Sequence, residues 1–190
     1  SDMAIGVGLL FGVHLPVNFA SPYKSLSISE FWRRWHITLS RFLRTYLYFP
    51  LGGSRQGRNR TSANLLITML LGGLWHGANW TFVAWGGLHG LALAVNHRFT
   101  AAIEGTPFAR LLDSTLGRLA CWTATFLGVI AGWVLFRADS FGSAWRIWRG
   151  MVGLNGLVLQ DRHAALLRHL ALPATKSAAI GTPTFPNPNL

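Results

Sequence analysis

Long uncharged stretches alternate with short basic segments along this chain. Residues 61–97 contain no Asp, Glu, Lys or Arg, and this stretch is too long for one upright helix across a hydrocarbon core of ~30 Å. We therefore predict two segments there, or one membrane span and a re-entrant piece. Residues 119–136 are also uncharged and have arginine on both sides, a pattern typical of a transmembrane helix with interfacial cations. Residues 3–17 are apolar apart from His14 and are short for a span.

A basic helix rich in aromatic residues is predicted from Ile28 to just before Pro50. Ser27 and Glu30 match the two ends of a capping box, which places the helix start at Ile28. At 100° per residue, one face is apolar and another is basic, as in a helix that lies along a membrane interface. His36 falls at the edge of the apolar face, where it can simply be an interfacial histidine. The two faces consist of Trp32, Trp35, Leu39, Phe42, Leu43 and Tyr46, and of Arg33, Arg34, Arg41 and Arg44.

The composition favours a membrane protein. The 190 residues are 51% hydrophobic and 12% charged, with a mean hydropathy of +0.33. The net charge is +11, but the basic residues lie between uncharged stretches, so anionic lipid headgroups and the positive-inside bias explain them better than nucleic acid does. Interleaved arginines and aromatics at residues 31–60 keep a nucleic-acid binder as a minor alternative. Cys121 is the only cysteine, which excludes a disulfide scaffold within the chain.

Two histidines fall inside the uncharged stretch 61–97, where an ionisable side chain has to be buried in protein or line a cavity. For His76, which lies between Trp75 and Gly77, we favour a functional role. For His89 we favour a cap or bridge between packed helices, although it stays a candidate for substrate binding. Small residues near both histidines allow backbones to approach closely. These are the pairs Gly73 with Gly77 and Gly86 with Gly90, and Asn79 is a further polar group.

Acyl transfer is the chemistry that suits such histidines. A neutral imidazole, with an unperturbed pKa of ~6.5, can take a proton from a hydroxyl and return it to a leaving group, and a buried ring stays neutral. No G-x-S-x-G motif is present and no acid occurs between Glu30 and Glu104, so a covalent triad has little support. His76 and His89 have no acid or thiol nearby in sequence, so we expect no metal site.

Two motif-bearing segments resemble one family. "SISEFWRRWHITLSRFLRTYLYFPLGGSR" and "NLLITMLLGGLWHGANWTFVAWGGLHG", with the later "WVLFRADSFGSAWRIWRGMVGLNG", resemble the membrane-bound O-acyltransferases, in the branch of alginate O-acetyltransferases and related bacterial polysaccharide acetylases. The resemblance runs to about residue 156. We therefore predict a partial membrane domain at residues 1–156 and a weakly structured segment at residues 157–190. The start Ser1-Asp2-Met3 is neither a secretory signal nor an obvious natural N-terminus, and members of the family that the chain resembles are considerably longer. We therefore expect a C-terminal piece of a longer protein.

The resemblance implies an all-α, polytopic membrane helix bundle with an amphipathic interfacial helix, in the bacterial inner membrane. It implies that His76 is the catalytic base and that His36 is the second catalytic position. A tunnel would bring an acyl donor, with acetyl-CoA favoured, from the cytoplasmic side to the acceptor. Arg33 and Arg34 are candidates to contact donor phosphates, with lipid anchoring as an equal alternative. Trp75, Asn79 and His89 complete the predicted substrate-binding set.

The expected partners are membrane lipids, the donor, and a polysaccharide or periplasmic acetyl-transfer proteins, with no nucleic acid and no bound cofactor. The acceptor stays open among alginate, another exopolysaccharide, cellulose and a teichoic acid carrying D-alanine. The alternative function is a non-catalytic channel or transporter in which His36, His76 and His89 line a proton or solute path.

Overall fold

A computed structural model describes residues 2–154, which form helices joined by turns and loops. No β-strand occurs in this part of the chain, which confirms the all-α class. Residues up to Val152 belong to one compact unit, and the predicted segment 157–190 lies outside the described residues. The α-helices are α1 (Asp2–Leu10), α2 (Ile28–Arg34), α3 (Ile37–Leu43), α4 (Gly57–His76), α5 (Trp80–Ile103), α6 (Pro107–Asp113), α7 (Thr115–Arg137) and α8 (Phe141–Met151). A 3₁₀ turn covers Pro22–Lys24 and a π-helical segment covers Arg44–Tyr48.

The start of α2 is as predicted. The Ser27 hydroxyl accepts a hydrogen bond from the Glu30 backbone N–H at 3.1 Å, which satisfies one of the free donors of the first turn. The Glu30 carboxylate reaches back to accept from the backbone N–H of Leu26 at 2.8 Å, one residue before the N-cap. Both hydrogen bonds of the capping box are therefore present, but the donor to the Glu30 carboxylate is Leu26 instead of the N-cap residue Ser27.

The prediction of one continuous helix to Pro50 is wrong. The chain leaves α2 at Trp35 and restarts at Ile37, because His36 adopts a left-handed conformation with φ 43°. The segment before α2 supplies alternative partners at this break: Ile37 N–H donates to the Asn18 carbonyl, and Ala20 N–H donates to the Arg34 carbonyl, both at 3.0 Å. These hydrogen bonds replace those of a continuous helix, so the predicted apolar and basic faces do not extend across the break.

The uncharged stretch 61–97 forms two helices, α4 and α5, that pack along each other. The turn between them is closed by Asn79, whose side-chain oxygen accepts from Thr81 N–H at 3.1 Å and caps α5. The two helices approach so closely that a Cβ on Gly73 or Gly86 would meet backbone atoms of the opposite helix. The predicted role of these glycines in close packing is confirmed.

Helix α7 contains the predicted span 119–136. Among residues 2–154 it is the one helix that is both long enough and apolar enough to cross a membrane. Helix α4 begins with arginines and an asparagine, and α5 carries His97 and Arg98. The polytopic bundle therefore stays a prediction.

A core of large side chains lies where α2, α5 and α7 meet. Phe31 from α2, Trp85 from α5 and Val129 from α7 are each at most 2% exposed. The Trp32 and Trp85 rings meet edge to face with centroids 5.8 Å apart, a favourable aromatic geometry. This core joins the first motif-bearing segment to the second.

Candidate functional site

His36 occupies the tip of the turn between α2 and α3. Histidine is among the few non-glycine residues enriched in the left-handed region, which His36 occupies with φ 43° and ψ 59°. Its ring is half-buried beside Phe19, with ring centroids 5.9 Å apart. The Nδ1 atom is buried and has no hydrogen-bond partner among the described residues. The hydrogen-bonding capacity of this nitrogen is therefore not used by the described residues.

His76 is the last residue of α4 and lies half-buried among aromatic rings. Trp75 and Phe136 are nearest, with centroids 5.0 Å from that of the imidazole, followed by Trp85 at 5.4 Å and Phe82 at 6.3 Å. Such an apolar surrounding disfavours a charged imidazole and leaves a neutral ring that can accept a proton.

The segments that carry His36 and His76 meet in one cluster of aromatic rings. Trp35, next to His36, packs against Trp133 with ring centroids 4.8 Å apart. Trp133 meets Phe136 at 5.7 Å, and Phe136 meets His76 at 5.0 Å. Within residues 2–154, no group of three or more His, Cys, Asp or Glu side chains is arranged to hold a metal ion. Proton transfer by imidazole is the chemistry that this pair can perform from its own side chains.

His89 lies in the core, 2% exposed. Its Nδ1 accepts a hydrogen bond from the indole N–H of Trp32 at 3.4 Å, which links α5 to α2. Its Nε2 has no hydrogen-bond partner among the described residues and faces Gly132 of α7, where a Cβ would come within 2.7 Å of it. This placement fits the bridge between packed helices, and the role in substrate binding stays a prediction.

Replacing His89 with alanine is expected to destabilise the full-length protein by about 1–3 kcal/mol, because the buried indole N–H of Trp32 loses its acceptor. Thermal unfolding in detergent measures this loss. His14→Ala is the control, since His14 is an exposed histidine outside the helices and outside both cavities described below. If His89→Ala unfolds like the control and instead weakens substrate affinity, His89 binds substrate and is not a structural bridge.

Two further candidates are engaged in holding the fold. Asn79 uses its amide N–H to donate to the Asp139 carbonyl at 3.1 Å, in addition to capping α5. Arg34 forms an ion pair with Glu30 at 2.7 Å and donates to the Ala20 carbonyl at 3.3 Å. Their predicted contacts with substrate are not tested by these interactions and stay predictions.

A cavity of about 330 Å³ lies between the α2–α3 region and helices α4 and α5, and Arg33 lines it. Arg44, Tyr48 and His97 also line this cavity; the sequence reasoning did not single out the last two. Burial raises the pKa of Tyr48 above its ordinary value near 10, so its phenol is a neutral hydrogen-bond donor. The cavity combines an apolar wall with the cationic side chains of Arg33 and Arg44.

A second cavity of about 330 Å³ lies between α3 and α4 and is lined by apolar side chains. Trp75 forms part of its wall and also meets the His76 ring edge to face. Neither cavity includes His36, His76 or His89 in its lining. Trp75 thus lies between this apolar cavity and His76.

Asn18 is a residue of the site that sequence reasoning missed. It contacts the turn that carries His36 through both its backbone and its side chain. The available signal was a single amide in an otherwise apolar stretch, "LPVNFAS", and nothing in its spacing links it to His36.

Comparison with known proteins identifies the family of the chain. The membrane-bound O-acyltransferase family matches residues 1–129. The chain is 51% identical to the peptidoglycan O-acetyltransferase of Helicobacter pylori over 83% of its own length and 29% of that protein. It is 46% identical to the probable alginate O-acetylase AlgI of Pseudomonas aeruginosa over 90% of its length and 31% of that protein. It is 36% identical to the teichoic acid D-alanyltransferase of Streptococcus thermophilus over 50% of its length and 25% of that protein.

The chain thus spans about a third of the length of these curated relatives. The match includes the segments that carry His36 and His76. It also agrees with the resemblance that the two motifs indicate. The chain belongs to the membrane-bound O-acyltransferase family.

Proposed function

We propose that the full-length protein is a membrane O-acyltransferase that moves an acetyl or related acyl group from a thioester donor to a hydroxyl of a cell-envelope polysaccharide. The observation that carries the proposal is that His36 and His76, two histidines from separate segments, both border one cluster of aromatic rings. Family membership supports the same reaction class.

In the proposed reaction, the neutral His76 ring accepts the proton of the acceptor hydroxyl as its oxygen attacks the thioester carbonyl carbon. The tetrahedral intermediate collapses, the carbon–sulfur bond breaks, and the departing thiolate takes the proton from the imidazolium. An ester and a free thiol result, so the imidazole is returned neutral. General-base catalysis of this kind contributes about 10²–10⁴-fold in rate. His36 is the second proposed catalytic histidine, and the absence of a hydrogen-bond partner for its Nδ1 among the described residues supports this role.

The proposed acceptor is a polysaccharide of the envelope. The relatives are named for peptidoglycan, alginate and teichoic acid, and each of these polymers presents hydroxyl groups. Acetyl-CoA is the proposed donor, and Arg33 at the basic cavity is positioned to meet an anionic group. Trp75 is proposed to border the path of the acyl group through the apolar cavity beside His76.

A multi-pass location in the bacterial inner membrane is part of the proposal. Helix α7 meets the length and composition of a span, and the α4–α5 pair would lie against it with its polar residues turned to protein. This location gives the donor access from the cytoplasm and the acceptor access from the periplasm, where acetyl-transfer proteins are the proposed partners.

Deleting the gene is expected to remove O-acetyl groups from one envelope polysaccharide, because the enzyme that transfers acyl groups to that polymer is then missing. Mass spectrometry of each purified polymer, from the deletion strain and from the same strain complemented with the full-length gene, identifies the acceptor. Loss and restoration on a single polymer supports the proposal. Unchanged acylation of every envelope polymer contradicts it.

A further inference from the structure

The turn that presents His36 is held by a short extended segment at residues 18–20. This segment runs beside the break between α2 and α3 and exchanges backbone hydrogen bonds with it on both sides of His36. Ala20 N–H donates to the Arg34 carbonyl before the histidine, and Ile37 N–H donates to the Asn18 carbonyl after it, both at 3.0 Å. The backbone at His36 is therefore fixed from outside its own helices.

The side chain of Asn18 adds two more bonds to the same turn. Its Oδ1 accepts from the Thr38 backbone N–H at 3.0 Å and from the Thr38 hydroxyl at 2.7 Å. The amide N–H of Thr38 lies in the first turn of α3, where no intrahelical acceptor exists. Asn18 therefore acts as the cap that α3 lacks locally, since the His36 side chain makes no capping bond.

A left-handed conformation at a non-glycine residue persists only when its surroundings enforce it. His36 has φ 43°, and three of the bonds that enforce this conformation come from one residue, Asn18. Its Oδ1 carries two of them, so this single atom caps the start of α3.

We infer that Asn18 is a positioning residue for His36. It sets the direction of the imidazole through Thr38 and the left-handed turn, without itself touching substrate. The inference rests on the proposed function, because it assumes that His36 acts in acyl transfer.

The test compares variants of the full-length protein in steady-state acyl transfer. Asn18→Ala is expected to lower kcat roughly 10- to 100-fold, because small misplacement of a catalytic group has effects of this size, with KM for the donor unchanged. Asn18→Asp retains the acceptor oxygen and is expected to restore most of kcat. Thr38→Val removes only the hydroxyl donor and should show a smaller loss in the same direction.

Asn96→Ala is the matched control. Asn96 also accepts a hydrogen bond from α2 across a long sequence separation, from the Ser29 hydroxyl at 2.6 Å, but it has no contact with the His36 turn. The control should lose stability without a selective loss of kcat. Wild-type kcat in Asn18→Ala, or an equal loss in Asn96→Ala, overturns the inference.

Hydrogen exchange separates this inference from the proposed function. Asn18→Ala should speed amide exchange in the peptide containing residues 36–40, while Asn96→Ala leaves that peptide as in the wild type. If His36→Ala retains full activity, the proposed role of His36 fails even when the exchange result holds. If His36→Ala is inactive but exchange and kcat are unchanged in Asn18→Ala, the positioning role alone is excluded.

Discussion

Replacing His76 with alanine is expected to abolish acyl transfer while the full-length protein still inserts into the membrane. The imidazole is the proposed general base, and its removal should lower kcat by about 10²–10⁴-fold. The side chain is only half-buried at the end of α4, so its loss should have little effect on folding. The measurement is O-acetylation of the polysaccharide in intact cells, together with the amount of protein in purified membranes.

His14→Ala serves as the control for this experiment, since His14 is an exposed histidine outside the helices. It should leave acylation unchanged. Normal acylation in His76→Ala would remove the basis of the proposed mechanism. A defect in proton or solute flux, with no acyl product in the wild type, would instead support the channel or transporter alternative.

Replacing Gly86 with alanine is expected to disrupt the α4–α5 packing. A Cβ at this position would overlap the backbone carbonyl of Met69, and a backbone cannot rotate aside as a side chain can. Forcing an extra methyl group into a backbone-to-backbone contact is expected to lower the free energy of unfolding by about 3 kcal/mol or more. Thermal unfolding of the purified full-length protein, and its yield in membranes, should both fall.

Gly128→Ala on α7 is the matched control, because a Cβ there meets no atom within 4 Å. Alanine is the better helix former, so this change should be neutral or stabilising by up to about 1 kcal/mol. If Gly86→Ala unfolds at the same temperature as Gly128→Ala, the close approach of α4 and α5 is not required for stability.

The parts of the fold that depend on local chemistry could be predicted from sequence. The start of α2 follows from Ser27 and Glu30, which satisfy backbone groups within one turn of each other. The span in α7 follows from an uninterrupted apolar run. In both cases the residues that form the structure are neighbours in the chain.

The break at His36 could not be predicted in this way, because its partners at residues 18–20 are distant in sequence and no periodicity connects them to α3. Helical periodicity continues through the break, and tertiary hydrogen bonds override it. For His89, a bridge between packed helices could be proposed from sequence, but its hydrogen-bond partner Trp32, 57 residues away, could not. The pairing of His36 with His76 came from the family resemblance of their motifs, and the spacing of the residues alone did not indicate it.

The close backbone approach of α4 and α5 bears on how a bulky acceptor reaches the reaction centre. Because their backbones are in direct contact, these two helices cannot slide past each other and should move as one rigid body. His76 lies at the C-terminal end of α4, at one end of this helix pair. The α2–α3 turn is held instead by hydrogen bonds to residues 18–20 and by ring contacts of Trp35 and His36 with Phe19. We therefore expect an opening for the acceptor to move residues 18–20 and the His36 turn together, with the His76 side as the fixed wall.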